Sequence, residues 1–263
     1  MRDSSRIEQD LKLAHELADL SDQITLSRFQ SQDLRVETKA DMTLVSDADR
    51  ATEDAIRSAL AADRPDDSVL GEERGVSGTA DRRWIIDPID GTNNFVRGVP
   101  VWATLIALVE DHDVVVGVVS APSLGRRWWA GKGLGAFSGS AFNKKRQLAV
   151  SGVSSLQDAY LSYSSLTGWQ TVGKVAQMNT LMETVWRTRG FGDFWSYMLV
   201  AEGGVDIAAE PELELYDMAA LVPIVTEAGG VFTSLDGEPG PWGGNALVTN
   251  GLLHEQVLET LRN

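Results

Sequence analysis

Residues 84–95 read WIIDPIDGTNNF, and this stretch limits the fold of the chain more tightly than any other. The apolar run Trp84, Ile85, Ile86 reads as a buried strand, yet it ends on two carboxylates, Asp87 and Asp90, with only Pro88 and Ile89 between them. The carboxyl end of a strand is where layered α/β sheets place their ligand sites. Pro88 withholds its N–H and keeps the step extended, so Asp87 and Asp90 can converge while the Ile89 carbonyl points into the same space. Two carboxylates and a carbonyl are hard oxygen donors, the set that Mg²⁺ takes. Gly91 leaves the backbone bare where a ligand must approach, and Thr92 adds a hydroxyl. If a helical turn starts there, the Gly91 and Thr92 N–H groups meet an anion. Taken alone, an Asp-Gly pair is a turn with solvated acids. The whole of DPIDGT behind a buried strand is read instead as a metal-bridged phosphate site.

The rest of the chain alternates helix-like and strand-like segments, with no repeat and no long linker. Residues 7–28 carry a helical apolar spacing, and Ser46 is placed to cap a second helix running to about Ala61. The intervening ETKADMTLVSD reads as a surface loop. Strand-like runs follow at RWIID, WATLIALV, DVVVGVVS, RRWWAG and DAYLSYS. A helix is expected from Gly192 to about Ala201, another from near Asp217 to Gly229 and Gly230, then strands at VFTSL and NALVTN and a helix from Leu253. The mixture predicts a layered α/β or α+β fold. At 263 residues it is one domain in two lobes, about 1–150 and 151–263, long enough to bury a large interior.

Composition excludes several function classes. With 38 acidic against 23 basic residues the formal net charge is −15, the wrong sign for nucleic acid or an anionic membrane. No apolar run nears the roughly 20 residues of a membrane helix, and the first residues lack the apolar core of a secretory signal. The absence of cysteine removes disulfides and thiolate metal sites and fits the cytoplasm.

Mg²⁺ wants about six oxygens, so further acids must join Asp87 and Asp90. Glu72 and Glu73 in VLGEERG are candidates, although in isolation they read as loop acids. Asp217 heads an apolar helix, where an acid also favours the helix dipole. Asp41, Asp47 and Asp49 likewise fit capping roles.

Together GEE, WIIDPIDGTNNF and YDMAALVPIVTEAGG, in this order and spacing, resemble the inositol monophosphatase family of Mg²⁺-dependent phosphomonoesterases, from KADMTLVSDAD to ALVTN. The resemblance implies a layered α-β-α-β-α sandwich, a homodimer, and two or three Mg²⁺ per site, with Mn²⁺ an alternative. Carried over, Glu72, Asp87, the Ile89 carbonyl, Asp90 and Asp217 are metal ligands. Asp90, Gly91, Thr92 and Asp217 border the phosphate. Asp47 with Thr92, or Glu72, orients the attacking water, and Glu210 touches the organic part of the substrate. Three positions depart from the pattern: Tyr216 replaces a Trp, Leu221 a small residue, and Asn93 a Lys or Thr. None removes a ligand.

The segment RTRGFGDFWSYMLVAEGGVDIAAE differs from polyol-specific relatives by carrying Asp193, with Arg189 and Gly192 beside it. A carboxylate there suits an ammonium or imidazolium, although a helix-capping role fits equally well. GVPVWATLIALV, SAPSLGRRWWAGKGLGAF and GDFWSYMLVAEGGVDIAAEPE resemble the branch of the family that hydrolyses histidinol phosphate, the expected substrate. Inositol phosphates, fructose 1,6-bisphosphate and adenosine 3',5'-bisphosphate are the rivals, and a scaffold that has kept the site without turnover is the non-enzymatic alternative. No catalytic role falls to His15, His112 or His254, and Trp128–Trp129 suits a core or dimer contact.

Overall fold

The computed structural model describes residues 4–40, 42–139 and 145–262, so Asp41 lies outside the described residues. Its larger sheet contains β3 (Ser68–Gly71), β4 (Gly75–Ser77), β5 (Arg83–Asp90), β6 (Ala103–Glu110), β7 (Asp113–Ala121), β8 (Arg126–Gly131), β9 (Gly135–Gly139) and β10 (Arg146–Gln147), after a short hairpin of β1 (Val36–Thr38) and β2 (Leu44–Ser46). The order across it is β10-β9-β8-β7-β6-β5-β3-β4, antiparallel except where β3 runs parallel to β5. A second sheet, in the order β12-β11-β13-β15-β14, holds β11 (Tyr160–Ser162), β12 (Arg187–Arg189), β13 (Ile207–Glu210), β14 (Val231–Thr233) and β15 (Ala246–Thr249).

Period-two alternation assigns each sheet face to a helix layer. Trp84, Ile86, Ile106, Leu108 and Val118 face α1 (Ser4–Arg28) and α2 (Asp47–Asp63), meeting Leu13, Leu17, Ile56 and Leu60. The alternate residues Ile85, Leu105, Ala107 and Val119 face the interior. There they share a cluster with Phe194, Met198, Ile224 and Val225, and with Ala208 and Val248 of the second sheet. The other face of that sheet, through Leu161, Ile207, Ala209 and Leu247, packs on Trp169, Met178, Leu181, Val257 and Leu261. The helices so placed are α3 (Thr92–Arg97), α4 (Leu166–Thr171), α5 (Val175–Thr184), α6 (Asp193–Ala201), α7 (Leu215–Met218), α8 (Leu221–Glu227) and α9 (His254–Arg262). The result is the expected α-β-α-β-α sandwich, with α6, α7 and α8 as its middle layer.

Three segments differ from the sequence reading. ETKADMTLVSD is not simply a loop, since Glu37 pairs with Val45 and Thr38 with Leu44 in the hairpin. Strands of three residues are too short to show a period. The helix expected from Asp217 to Gly229 is two helices, because Pro223 has no N–H for the Ala219 carbonyl and its ring excludes that oxygen. Opposite this break lies Gly117 of β7, where a Cβ would stand 2.2 Å from the Ala220 carbonyl oxygen. Sheet and helix junction approach that closely only because the residue is glycine. The helices α4 and α5 carried no pattern strong enough to be read.

Candidate active site

The strand end that opened the sequence reading contains a β-bulge. Asp87 pairs with Leu105 and Asp90 with Ala103, so three steps on β5 oppose two on β6. Without the extra residue, side chains three apart would leave opposite faces. With it, Asp87 and Asp90 reach the same interior side. Pro88 suits the bulge because it has no N–H to leave unpaired, and its carbonyl takes the Thr104 hydroxyl at 2.8 Å. The Ile89 N–H donates to Asp87 Oδ1 at 2.9 Å.

Asp217 arrives at the third position of α7. Its Oδ2 accepts the Glu214 N–H at 2.8 Å, a capping-box contact that fixes the side chain. Carboxylate oxygens of Asp87, Asp90 and Asp217 lie within 4.8 Å of one another. They line a cleft of about 770 Å³ with Glu72, Ile89, Gly91, Thr92, Gly192, Asp193 and Glu210. The α6 start is tied to this group, since the Phe194 N–H donates to Asp90 Oδ2 at 2.7 Å.

Electrostatically the cleft is short of cations. Burial and then the neighbouring Glu72, Asp90 and Asp217 charges hold Asp87 well above the ordinary carboxylate range. Asp90 is raised by burial, then by Asp193 and Asp217. Burial pushes Asp217 up to about 7, Asp193 up to about 6 and Glu210 up to about 8, with Asp193 adding to the last. Among the described lining residues the one cation is Lys39, whose Nζ lies 2.7 Å from Glu72 Oε1 and 2.5 Å from Glu73 Oε1. An all-oxygen group of converging carboxylates with so little compensating charge is a fitting holder for a hard divalent cation.

The acid that meets Thr92 differs from the sequence expectation. Thr92 Oγ1 lies 3.3 Å from Asp49 Oδ1 and 2.9 Å from the Ile89 carbonyl. Asp47 does not meet Thr92; its Oδ2 is turned to Arg28 Nη2 at 2.8 Å. Two residues apart on α2, the two acids leave the helix on different sides. Asp49 shares the buried stripe of Thr52, Glu53, Ile56 and Leu60. That stripe was the available signal, since Asp49 stands four, seven and eleven residues from Glu53, Ile56 and Leu60. Asp49 is fully buried, with Oδ2 accepting the Ser46 N–H at 2.7 Å and hydroxyl at 2.5 Å.

Nor does Arg189 line the cleft. It ends β12 on the surface and donates to the Thr188 carbonyl, while Gly190, Phe191 and Gly192 carry the chain onward into the cleft. Asp193 is no helix cap in the sense expected, because Gly192 is the cap residue and makes no side-chain contact. Asp193 sits at φ +47° with its carboxylate in the cleft. The buried Glu210 accepts the Tyr197 hydroxyl at 3.0 Å, a partner not foreseen. Tyr216 lines the cleft beside Asp217, Asn93 lines it from an exposed position, and Leu221 is buried in the interior cluster. Of the Trp128–Trp129 pair, Trp128 is fully buried and Trp129 packs edge-on to His15.

The model of the inositol monophosphatase family matches residues 6–263. A histidinol-phosphatase of Streptomyces coelicolor is 60% identical over 253 residues, 95% of each chain. One from Mycobacterium tuberculosis is 58% identical over 253 residues, covering 96% of this chain and 97% of the other. Among solved structures, an inositol monophosphatase from Zymomonas mobilis superposes with a TM-score of 0.85 at 31% identity, over 97% of this chain and 98% of that one.

Proposed function

The chain belongs to the inositol monophosphatase family, and from that premise we propose that it hydrolyses L-histidinol phosphate to L-histidinol and inorganic phosphate, a step of histidine biosynthesis. The observation that carries this reading is the 60% identity, over 95% of both chains, with a histidinol-phosphatase. The cleft supports it, because the metal-type carboxylates lie next to two further acids, Asp193 and Glu210, suited to a cationic substrate.

Glu72, Asp87, the Ile89 carbonyl, Asp90 and Asp217 would hold Mg²⁺, two or three ions in the working enzyme, with Mn²⁺ an alternative. When bound, the metal supplies positive charge to the phosphate and acidifies water. The chain does the rest. Gly91, at φ +85°, makes the turn that leaves its backbone open, with a Cβ excluded by the Val101 carbonyl at 3.0 Å. Its N–H and that of Thr92 face the phosphate oxygens. The Thr92 hydroxyl points its one hydrogen toward the Ile89 carbonyl at 2.9 Å and Asp49 Oδ1 at 3.3 Å, and so presents a lone pair to the attacking water, whose proton passes toward the Thr92–Asp49 pair. Water oxygen bonds to phosphorus as the ester P–O bond breaks, the leaving alkoxide takes a proton from a solvent water in the cleft, and the proton held by the Thr92–Asp49 pair returns to solvent. No side chain is phosphorylated. Asp193 and Glu210 receive the amine or the imidazolium, charges that inositol phosphate lacks.

No described helix is long and apolar enough to cross a membrane. A cytoplasmic homodimer completes the proposal. The test is phosphate release with Mg²⁺ and with EDTA from L-histidinol phosphate, inositol 1-phosphate, fructose 1,6-bisphosphate and adenosine 3',5'-bisphosphate, by wild type and Asp193→Ala. Strong selectivity for L-histidinol phosphate, reduced at least tenfold by Asp193→Ala, is expected. Preference for a polyol phosphate overturns the substrate, and selectivity unmoved by Asp193→Ala overturns the charge pairing.

A further inference from the structure

Asp193 is held in place by a residue on the opposite side of the cleft. The Asn94 side-chain amide donates to the Val101 carbonyl at 2.9 Å and to Asp193 Oδ2 at 3.2 Å. Both partners are pure acceptors when the carboxylate is ionised, so the NH₂ group must face them and the amide cannot turn over without losing both bonds. The Val101 carbonyl belongs to the chain entering β6 and is a backbone anchor. One amide hydrogen therefore fixes Asn94, and the other is aimed at Asp193.

Three further observations make this contact more than incidental. Asp193 adopts φ +47°, a left-handed conformation that a non-glycine residue keeps only when its surroundings hold it there. The next residue is fixed as well, by the Phe194 N–H on Asp90 Oδ2. Across the cleft, a Cβ on Gly91 would lie 3.4 Å from Asp193 Oδ2. The Asp193 carboxylate therefore stands within van der Waals reach of the turn that carries Gly91. Asp193 is seated between Gly91 and Asn94, both in the DGTNN segment, 99 residues away from Asn94 in the chain.

We infer that Asn94 is a positioning residue for substrate selection. It holds the Asp193 carboxylate at a fixed distance from the phosphate turn, so that the cleft measures the separation between phosphate and cationic group in the substrate. This rests on the reading that Asp193 receives the cationic group. A substrate with phosphate and cation at the matching distance gains both contacts at once. A neutral phosphate ester gains only the first and is indifferent to where Asp193 points.

The experiment is a double-substitution cycle of Asn94→Ala and Asp193→Ala in the Mg²⁺-loaded full chain. It reads kcat and KM for L-histidinol phosphate and for the neutral ester glycerol 2-phosphate, with thermal midpoints as a check on folding. Asn94→Ala is expected to lower the ratio of the two kcat/KM values about tenfold, mainly through KM for L-histidinol phosphate. In the Asp193→Ala background it is expected to change that ratio less than twofold, because the group it positions is gone. Asn94→Ser, whose hydroxyl can still donate, is expected to recover part of the ratio, and Asn94→Asp, which faces one carboxylate with another, to lower it further. If Asp193→Ala shifts the ratio while Asn94→Ala lowers both substrates equally, the positioning role is refuted and the charge pairing stands. If Asp193→Ala leaves the ratio unchanged, both fall. Should Asn94→Ala unfold the chain, the serine and aspartate variants decide, an equal ratio in the two refuting the role.

Discussion

Replacing Asp49 by Asn separates it from Asp47 as the acid that works with Thr92. Asp49 uses three contacts: Oδ2 accepts the Ser46 N–H and hydroxyl, and Oδ1 faces the Thr92 hydroxyl. An amide keeps one acceptor oxygen. Turned to Ser46, that oxygen preserves two hydrogen bonds and the helix cap; turned to Thr92, it preserves one and sets NH₂ against the Ser46 N–H. The first arrangement wins, so the amide donors face Thr92. The hydroxyl then has no acceptor at Asp49, and its lone pair is drawn away from water. A positioned general base contributes about 10²–10⁴-fold, and with the hydroxyl itself retained the expected loss in kcat is about 10²–10³-fold. At 1.36 kcal/mol per decade this is about 3–4 kcal/mol of barrier. Stability is retained because the cap survives and a buried acid, pushed up to about 6 by its burial, is replaced by a neutral group. Asp47→Asn loses only a solvent-screened pair with Arg28, so its kcat is expected within twofold of wild type. The assay is Mg²⁺-dependent phosphate release at saturating L-histidinol phosphate, with a thermal scan of each variant. A hundredfold loss in Asp47→Asn with near-normal Asp49→Asn refutes the reasoning.

Two other outcomes follow from the same structure. Glu210 is raised by burial, then by Asp193, from 4.5 to about 8, so the folded state binds its proton more tightly than the unfolded state does. Its contribution to stability is full below about pH 4.5 and is lost as pH rises through about 8; urea midpoints in EDTA should fall over that window, and Glu210→Gln should flatten the slope. An unchanged slope in Glu210→Gln would show that other groups carry it. Gly117→Ala puts a Cβ 2.2 Å from the Ala220 carbonyl oxygen and 2.7 Å from Pro223 Cγ. Overpacking of that kind costs about 1–3 kcal/mol. A lower thermal midpoint is expected, together with weaker Mg²⁺ binding by calorimetry as the α7–α8 junction carries Asp217 away; wild-type Mg²⁺ affinity would show that the junction gives without moving the acid.

What the sequence by itself determined was local. The apolar strand, the proline and the flanking aspartates of WIIDPIDGTNNF prescribe a strand end with two converging carboxylates, because the donor types and the missing N–H act within eight residues; the bulge that turns both to one side came only from the pairing with β6. Ser46 followed by an acid at the third helical position prescribes the start of α2. Apolar periods gave the long strands and α1, and the motif set carried the family.

Packing decided the rest. Whether Asp47 or Asp49 meets Thr92 depends on which stripe of α2 lies on the large sheet, and a motif match over SDAD does not distinguish them. Arg189 and Asp193 are four residues apart, yet one ends on the surface and the other in the cleft, because the chain turns between them at Gly192, φ +73°. The hairpin that brings Lys39 to Glu72 is built from three-residue strands that acquire their pairing only across the turn. The Asn94–Asp193 bond joins segments 99 residues apart, a distance over which no periodicity extends. Backbone geometry is fixed by neighbours along the chain, whereas the meeting of buried polar groups is fixed by the layers of the sandwich that carry them.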